Sequence, residues 1–228
     1  MFNTGEFSSF LYDNGATMVG FADLSKVVTD ELKYGVSIAI KIPPEIIASI
    51  HDGPNRAYFN TYHDLNSRLN ALAKKAAGYL EEHGYAAFAQ TTNVVKEYGV
   101  YRTKMPHKTV AVNAGLGWIG KSALLVTKEY GSAFRLTSVL TNAPLEAGTP
   151  ITKSACGNCQ ICTEACPAKA ISGRLWSPDL DRDEFFSPLA CQKKARELTK
   201  ERIHEEATIC GKCIEVCPYT KKYLAGNK

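Results

Sequence analysis

The chain has 228 residues, 45% of them hydrophobic and 22% charged, with a formal net charge of +4. These proportions suit a globular protein with room for two modest domains. No uninterrupted apolar run is long enough to span a bilayer, and no dense Lys/Arg run demands a polyanionic partner; Lys221 and Lys222 read as a solvated end.

In chain order, the opening MFNTGEFSSFLYDNG lacks the basic-then-apolar pattern of a secretory signal, which points to the cytoplasm. Ala16–Asp23 and Gly35–Pro43 are rich in β-branched residues and predict strands. Pro43 and Pro44 then open a short helix through Ile50. From Tyr62 to Glu82, Leu65, Leu69, Leu72, Ala76 and Leu80 recur at steps of three and four, predicting one long amphipathic helix ended by Gly84. Tyr85–Gln90 and Phe134–Pro144 predict two further strands. No internal repeat or low-complexity tract interrupts the pattern. The expected architecture is α+β: a first domain over residues 1–148 and a second over 149–228, joined where Pro, Gly and Thr gather in 145–153.

Ala114–Ser122, AGLGWIGKS, matches two glycine-rich patterns at once. Gly115, Gly117 and Gly120 fit G-x-G-x-x-G, and Gly115–Ser122 fits the phosphate-binding G-x-x-x-x-G-K-[ST]. TVAVN before it could serve as the required strand and SALLVTKEY after it as the helix. Nucleotide hydrolysis also needs an acidic residue closing an apolar strand to hold magnesium. The best later strand, RLTSVLTNA, offers Asn142 instead. The favoured reading is therefore a glycine-rich turn that lets the backbone approach another flat ligand or the second domain.

The second domain carries the chemistry. Residues 1–155 contain no cysteine. Cys156, Cys159, Cys162 and Cys166 then follow in C-x2-C-x2-C-x3-C spacing with Pro167 behind them, and Cys210, Cys213 and Cys217 are followed by Pro218. This is the bacterial two-cluster ferredoxin pattern, in which the fourth cysteine of each run ligates the other cluster. Three thiolates two residues apart wrap one face of a cubane; the next begins a helical turn and points away. A regular second run would start at residue 207, which is Ala207, so Cys191 must reach in from upstream. The expected sets are Cys156, Cys159, Cys162 and Cys217 on one [4Fe–4S] cluster, with Cys166, Cys191, Cys210 and Cys213 on the other. Structural zinc would use four cysteines and leave the rest unexplained; disulfides need an oxidising compartment.

Several segments together resemble the epoxyqueuosine reductases, cobalamin-dependent iron–sulfur enzymes of tRNA modification that are distantly similar to reductive dehalogenases. They are Tyr62–Asn66 (YHDLN), Ala114–Val126, Leu140–Glu146 (LTNAPLE), Cys156–Ile171, Cys191 and Cys210–Thr220. The resemblance covers roughly residues 15–220. It implies a cobalamin-binding-like α/β sandwich domain followed by a two-cluster ferredoxin-like domain, with electrons passing from an external donor through the clusters to cobalt. On that likeness Gly115, Gly117, Trp118, Gly120, Lys121, Thr137, Ser138 and Leu140 would lie near the corrinoid. The plain alternative for Trp118 is core packing.

Two departures stand out. The reductases carry an acidic proton donor shortly before AGLGW, where this chain reads EYGVYRTKMPHKT. Tyr101 falls near that spot and becomes the catalytic candidate, with Glu97 and His107 nearby and a partly buried aromatic as its plain reading. The helical-repeat domain that helps many relatives hold tRNA does not follow Cys217 here, so this reads as a truncated form. The expected partners are a low-potential donor, flavodoxin or ferredoxin, and a small or unidentified substrate; tRNA is not favoured and no membrane is expected. The function expected is corrinoid-dependent reduction of that substrate. The alternative is an electron-transfer or corrinoid-reducing protein with no substrate chemistry of its own.

Overall fold

The computed structural model describes residues 2–27 and 31–226. It opens with a helix that the sequence analysis did not foresee, α1 (Thr4–Asp13), capped by Asn3, whose side-chain oxygen accepts the Glu6 N–H at 3.1 Å. Strands β1 (Met18–Asp23) and β2 (Tyr34–Lys41) follow where the β-branched runs predict them. Helix α2 (Pro44–Ala48) takes Pro44 in its first turn, where the missing N–H costs nothing. Helix α3 (Arg56–Glu82) starts earlier than Tyr62 because Asn55 caps it, accepting the Tyr58 N–H at 2.9 Å. Next come β3 (Ala87–Ala89), the two-residue strands β4 (Glu97–Tyr98) and β5 (Arg102–Thr103), and helix α4 (His107–Asn113). Strands β6 (Trp118–Ile119), β7 (Leu125–Val126) and β8 (Phe134–Thr141) complete the first two thirds. The remainder is helical: α5 (Ile161–Glu164), a 3-10 turn at Arg182–Glu184, α6 (Pro188–Ile203), α7 (Lys212–Glu215) and α8 (Pro218–Leu224).

These elements form two units. The sheet unit comprises 1–41, 64–117 and 134–151; the cluster unit comprises 42–63, 118–133 and 152–228. The last junction, at 151/152, lies close to the boundary expected at 148/149. However, two stretches of the expected first domain, 42–63 and 118–133, group with the cysteines. Sequence continuity cannot reveal such an exchange, since each stretch returns to its unit through long-range contacts.

In the sheet unit the strands run in the order β1-β2-β8-β3, every pair antiparallel. One face is kept flat by small residues so that α4 can lie on it: a Cβ on Gly35 would come 2.6 Å from Val110, and one on Gly20 would come 2.8 Å from Leu116. The opposite face carries Val36, Ile38 and Val139, all buried. Phe21 on that side meets Phe7 of α1 with ring centroids 5.9 Å apart, and Phe7 stacks on Tyr79 of α3. Arg135 of β8 donates to Asn66 of α3 at 3.1 Å. The predicted stripe Leu65, Leu69, Leu72, Ala76 and Leu80 is buried throughout; each such Leu contributes about 1.5–3 kcal/mol relative to exposure.

The glycine-rich segment sits in the reverse of a phosphate-binding context. TVAVN, the possible strand, is the body of α4, and SALLV, the possible helix, enters the β6–β7 hairpin. The main sheet is antiparallel, whereas dinucleotide-binding sheets are mostly parallel. Gly115 has φ +75°, and a Cβ there would meet the Thr149 carbonyl oxygen at 2.7 Å. Close approach to the chain's own backbone accounts for that glycine. Among the described residues no helix is long and apolar enough to cross a membrane.

Candidate metal centre

The first cysteine run folds as a turn into a single helical turn. Cys159 N–H donates to the Cys156 carbonyl at 3.1 Å, and α5 then carries Cys162. Beyond it, Ala170 N–H donates to Cys166 Sγ at 3.4 Å. Cys191 occupies the first turn of α6, which Ser187 caps by accepting the Ala190 N–H. In the second run Gly211, at φ +78°, turns the chain into α7, which carries Cys213. A Cβ on Gly211 would lie 2.3 Å from Ile50 Cδ1 and 3.2 Å from the Tyr58 ring, so the turn also needs the missing side chain for room. Cys217 caps α8 and Pro218 is its first residue. The proline after the last cysteine is therefore a helix starter with φ preset.

All eight cysteines are free thiols. Their mutual electrostatic effects sort them into two neighbourhoods. Burial pushes the Cys162 thiol up to about 11, with Cys156, Cys217 and Cys159 adding to the effect. Burial pushes Cys191 up to about 11 as well, with Cys166 and Cys210 adding. Cys213 is raised well above its ordinary value, first by burial and then by Cys191 and Cys210. Cys162 of the first run also acts on Cys213, so the two neighbourhoods adjoin. Buried thiols of this kind become thiolates only beside a cation that inverts the balance. Among the described residues no three or more converge on the point a single ion would occupy; a multi-iron core needs sulfurs spread around a larger volume. A cavity of about 270 Å³ supplies one such volume, lined by Cys156, Cys159, Cys162, Cys213 and Cys217 and walled by Gly120, Lys121 and Tyr219.

Two charged residues of the cluster unit escaped the sequence reading of this centre. Glu215, between Cys213 and Cys217, is 2% exposed. It accepts hydrogen bonds from Lys212 at 2.9 Å and from Lys221, and His51 Nδ1 lies 3.4 Å away. Burial pushes its carboxyl up, but those bonds outweigh burial and hold it at about 2. An acid set between two ligand cysteines was the available signal; its lysine partners were not legible as partners. Lys121, expected near a corrinoid, has its ammonium on the Cys159 carbonyl at 2.9 Å. Gly120 beside it has no room for a side chain, because a Cβ would meet Val126 at 2.8 Å and Cys156 Sγ at 3.5 Å. Trp118 is buried against Tyr219, centroids 5.0 Å apart, and its indole N–H has no hydrogen-bond partner.

The other candidates lie in the sheet unit. Tyr101 stands at the turn between β4 and β5 with φ +51° and is exposed, not partly buried. Glu97 pairs across that hairpin with Thr103 and is exposed too. Ser138 is fully buried, bonded by Gln90 at 2.6 Å and by His107 Nδ1 at 2.8 Å. Burial and then Arg135 lower the His107 pKa to about 4, so its ring is neutral at pH 7 and a poor acid. Thr137 is buried and donates to the Gln90 carbonyl, Leu140 packs against the buried cluster that includes Ala22 and Val110, and Gly117 is buried where the sheet unit hands over to β6.

Residues 155–220 match the family described as a 4Fe-4S double cluster binding domain. Over 212 residues the chain is 30% identical to the epoxyqueuosine reductase of Aliivibrio fischeri, covering 85% of this chain and 52% of that protein. Over most of its length the chain is similar to epoxyqueuosine reductases. Its double-cluster domain provides for two [4Fe–4S] clusters. A solved epoxyqueuosine reductase bound to a tRNA-Tyr epoxyqueuosine-modified stem loop shares the fold, with TM-score 0.61 and 20% identity over 95% of this chain and 64% of that one. A reductive dehalogenase described in terms of B12-dependent dehalogenation also shares it, with TM-score 0.64 and 17% identity over 94% of this chain and 31% of the other. The chain spans about half the length of the curated relatives it matches.

Proposed function

We propose that the chain is an iron–sulfur reductase that takes single electrons from a low-potential donor, flavodoxin or ferredoxin, and passes them through its two clusters to a bound corrinoid. The observation that carries this reading is the presence of eight free thiols inside a matched double-cluster domain. The relatives' activity supports reduction as the outcome, and the B12-dependent neighbour supports the corrinoid. When bound, a corrinoid supplies low-valent cobalt, a strong two-electron reductant. The cluster residues are Cys156, Cys159, Cys162 and Cys217 for one cluster and Cys166, Cys191, Cys210 and Cys213 for the other.

Trp118 supports a bound organic cofactor most directly: a buried indole N–H without an acceptor is uncommon, and an amide-rimmed ligand would satisfy it. The resemblance adds Gly115, Gly117, Gly120, Lys121, Thr137, Ser138 and Leu140 as cofactor-binding candidates and Tyr101 as the proton donor. Tyr101 is accessible for that role. The substrate remains a small molecule or an epoxyqueuosine-bearing tRNA stem loop, and the reaction belongs to the cytoplasm, where thiolate clusters persist.

Anaerobic reconstitution with iron, sulfide and cobalamin tests the proposal. Stoichiometric cobalamin retention, cobalt reduction by the reduced clusters and turnover of an epoxyqueuosine stem loop support it in full. Cobalt reduction with no organic product selects the electron-transfer alternative. Absence of any cobalamin retention defeats the corrinoid reading.

A further inference from the structure

Lys121 is 3% exposed, yet a lysine has three N–H donors and the Cys159 carbonyl is the one acceptor given to it among the described residues. Among the described residues no carboxylate is paired with it. An uncompensated buried ammonium costs several kcal/mol, so something else must supply negative charge. Lys121 stands in the wall of the cavity lined by Cys156, Cys159, Cys162 and Cys217, with Cys213 also on its lining. The same cavity has a second cation on its rim, Lys222, which is exposed and lies over the Tyr219 ring at 5.6 Å.

We propose that Lys121 is a built-in counter-charge for the cluster held by Cys156, Cys159, Cys162 and Cys217, raising that cluster's reduction potential and so setting the order in which the two clusters accept electrons. A cubane with four thiolates carries a net charge of −2 when oxidised and −3 after taking one electron from an external reductant; no bond forms or breaks. A buried positive charge favours the −3 state, and its effect is stronger where solvent is excluded than at an exposed position such as Lys222. With its other N–H donors in the wall of that cavity, Lys121 can also hydrogen-bond cluster or thiolate sulfur, which raises the potential further. The inference rests on the double-cluster reading and is independent of the corrinoid.

The test is a redox titration with dithionite, followed by magnetic resonance of the chain reconstituted with both clusters and without cobalamin. Lys121→Met is expected to lower one of the two midpoint potentials by at least the equivalent of a tenfold change in the reduction equilibrium, about 59 mV for one electron. Lys121→Arg retains the charge and should stay near the parent value, and Lys222→Met should shift it less than Lys121→Met does. Two unchanged midpoints in a Lys121→Met protein holding its full iron complement would overturn the proposal. Should that variant fail to assemble, the parent protein labelled with 15N in its lysine side chains decides: the reduced state should show a lysine nitrogen coupled to a cluster spin, lost in Lys121→Arg labelled the same way. No coupled lysine nitrogen in the parent refutes the inference. The parent's own iron count tests the double-cluster reading separately.

Discussion

Lys212 donates to Glu215 at 2.9 Å across one turn of α7, and that turn also carries Cys213. The carboxylate is almost wholly buried, while its other partner, Lys221 of α8, is half exposed. Glu215 therefore ties the helix before Cys217 to the helix after it. Removing it leaves Lys212 and Lys221 without their anion, although water can reach Lys221 and soften the loss. Glu215→Ala is expected to cost about 2–4 kcal/mol. Glu215→Gln, which keeps the shape and loses the charge, should cost less. Thermal unfolding of the iron-loaded protein measures both; an Ala variant as stable as the parent contradicts the tie.

Cys191 is the ligand whose position the spacing least prescribes, and its removal is the most informative. Cys191→Ala should drop the iron content from about eight per chain towards about four, because one cubane loses a thiolate while the other keeps all of its own. Cys162→Ala should remove the opposite cluster and leave a different magnetic signature. If both variants lost all iron together, or if the parent held one zinc, the division into two sets would be wrong.

The cysteine pattern was legible because ligand spacing is a local constraint that each loop meets within a few residues, and the vacancy at Ala207 pointed to Cys191 by elimination. The strands were legible for a similar reason: β2 and β8 are runs of β-branched and apolar residues buried along their length. Helix α4 was not legible because VAV carries a strand-like composition, while the segment packs as a helix with Val110 and Ala114 in a buried cluster. The starts of α1 and α3 were signalled by Asn3 and Asn55, which have capping chemistry that the apolar pattern does not register. Glu215 and Lys121 were beyond reach, since their meaning depends on partners 6 and 38 residues away along the chain.

Gly211 combines two requirements that a single substitution violates together. Its φ of +78° costs any L-residue about 1–2 kcal/mol, and an added Cβ collides with Ile50 and crowds Tyr58. Gly211→Ala should therefore destabilise the cluster unit by about 2–4 kcal/mol and slow iron incorporation into the set that contains Cys210 and Cys213. Gly157, also at positive φ but with open space around it, serves as the control. Gly157→Ala should cost only the conformational part. Chemical denaturation with parallel iron analysis separates the two; equal costs at both positions would remove the steric argument.

His107 sets a pH dependence in the sheet unit. Burial lowers its pKa to about 4, against 6.5 for an ordinary histidine, and Arg135 adds to the effect. Between these values the unfolded chain takes up a proton that the folded chain refuses, so unfolding is favoured as pH falls. The penalty is absent above about pH 7, grows as pH drops through 6.5, and is complete below about 4, where it amounts to roughly 3 kcal/mol. His107→Gln keeps a hydrogen-bonding group near Ser138 and removes the titration. Its denaturation midpoint should fall less steeply than the parent's between pH 7 and pH 4.5. The imidazole resonances of the parent should titrate near pH 4. A normal titration near 6.5 would mean that the ring is solvated, and it would reopen His107 as a proton donor beside Tyr101.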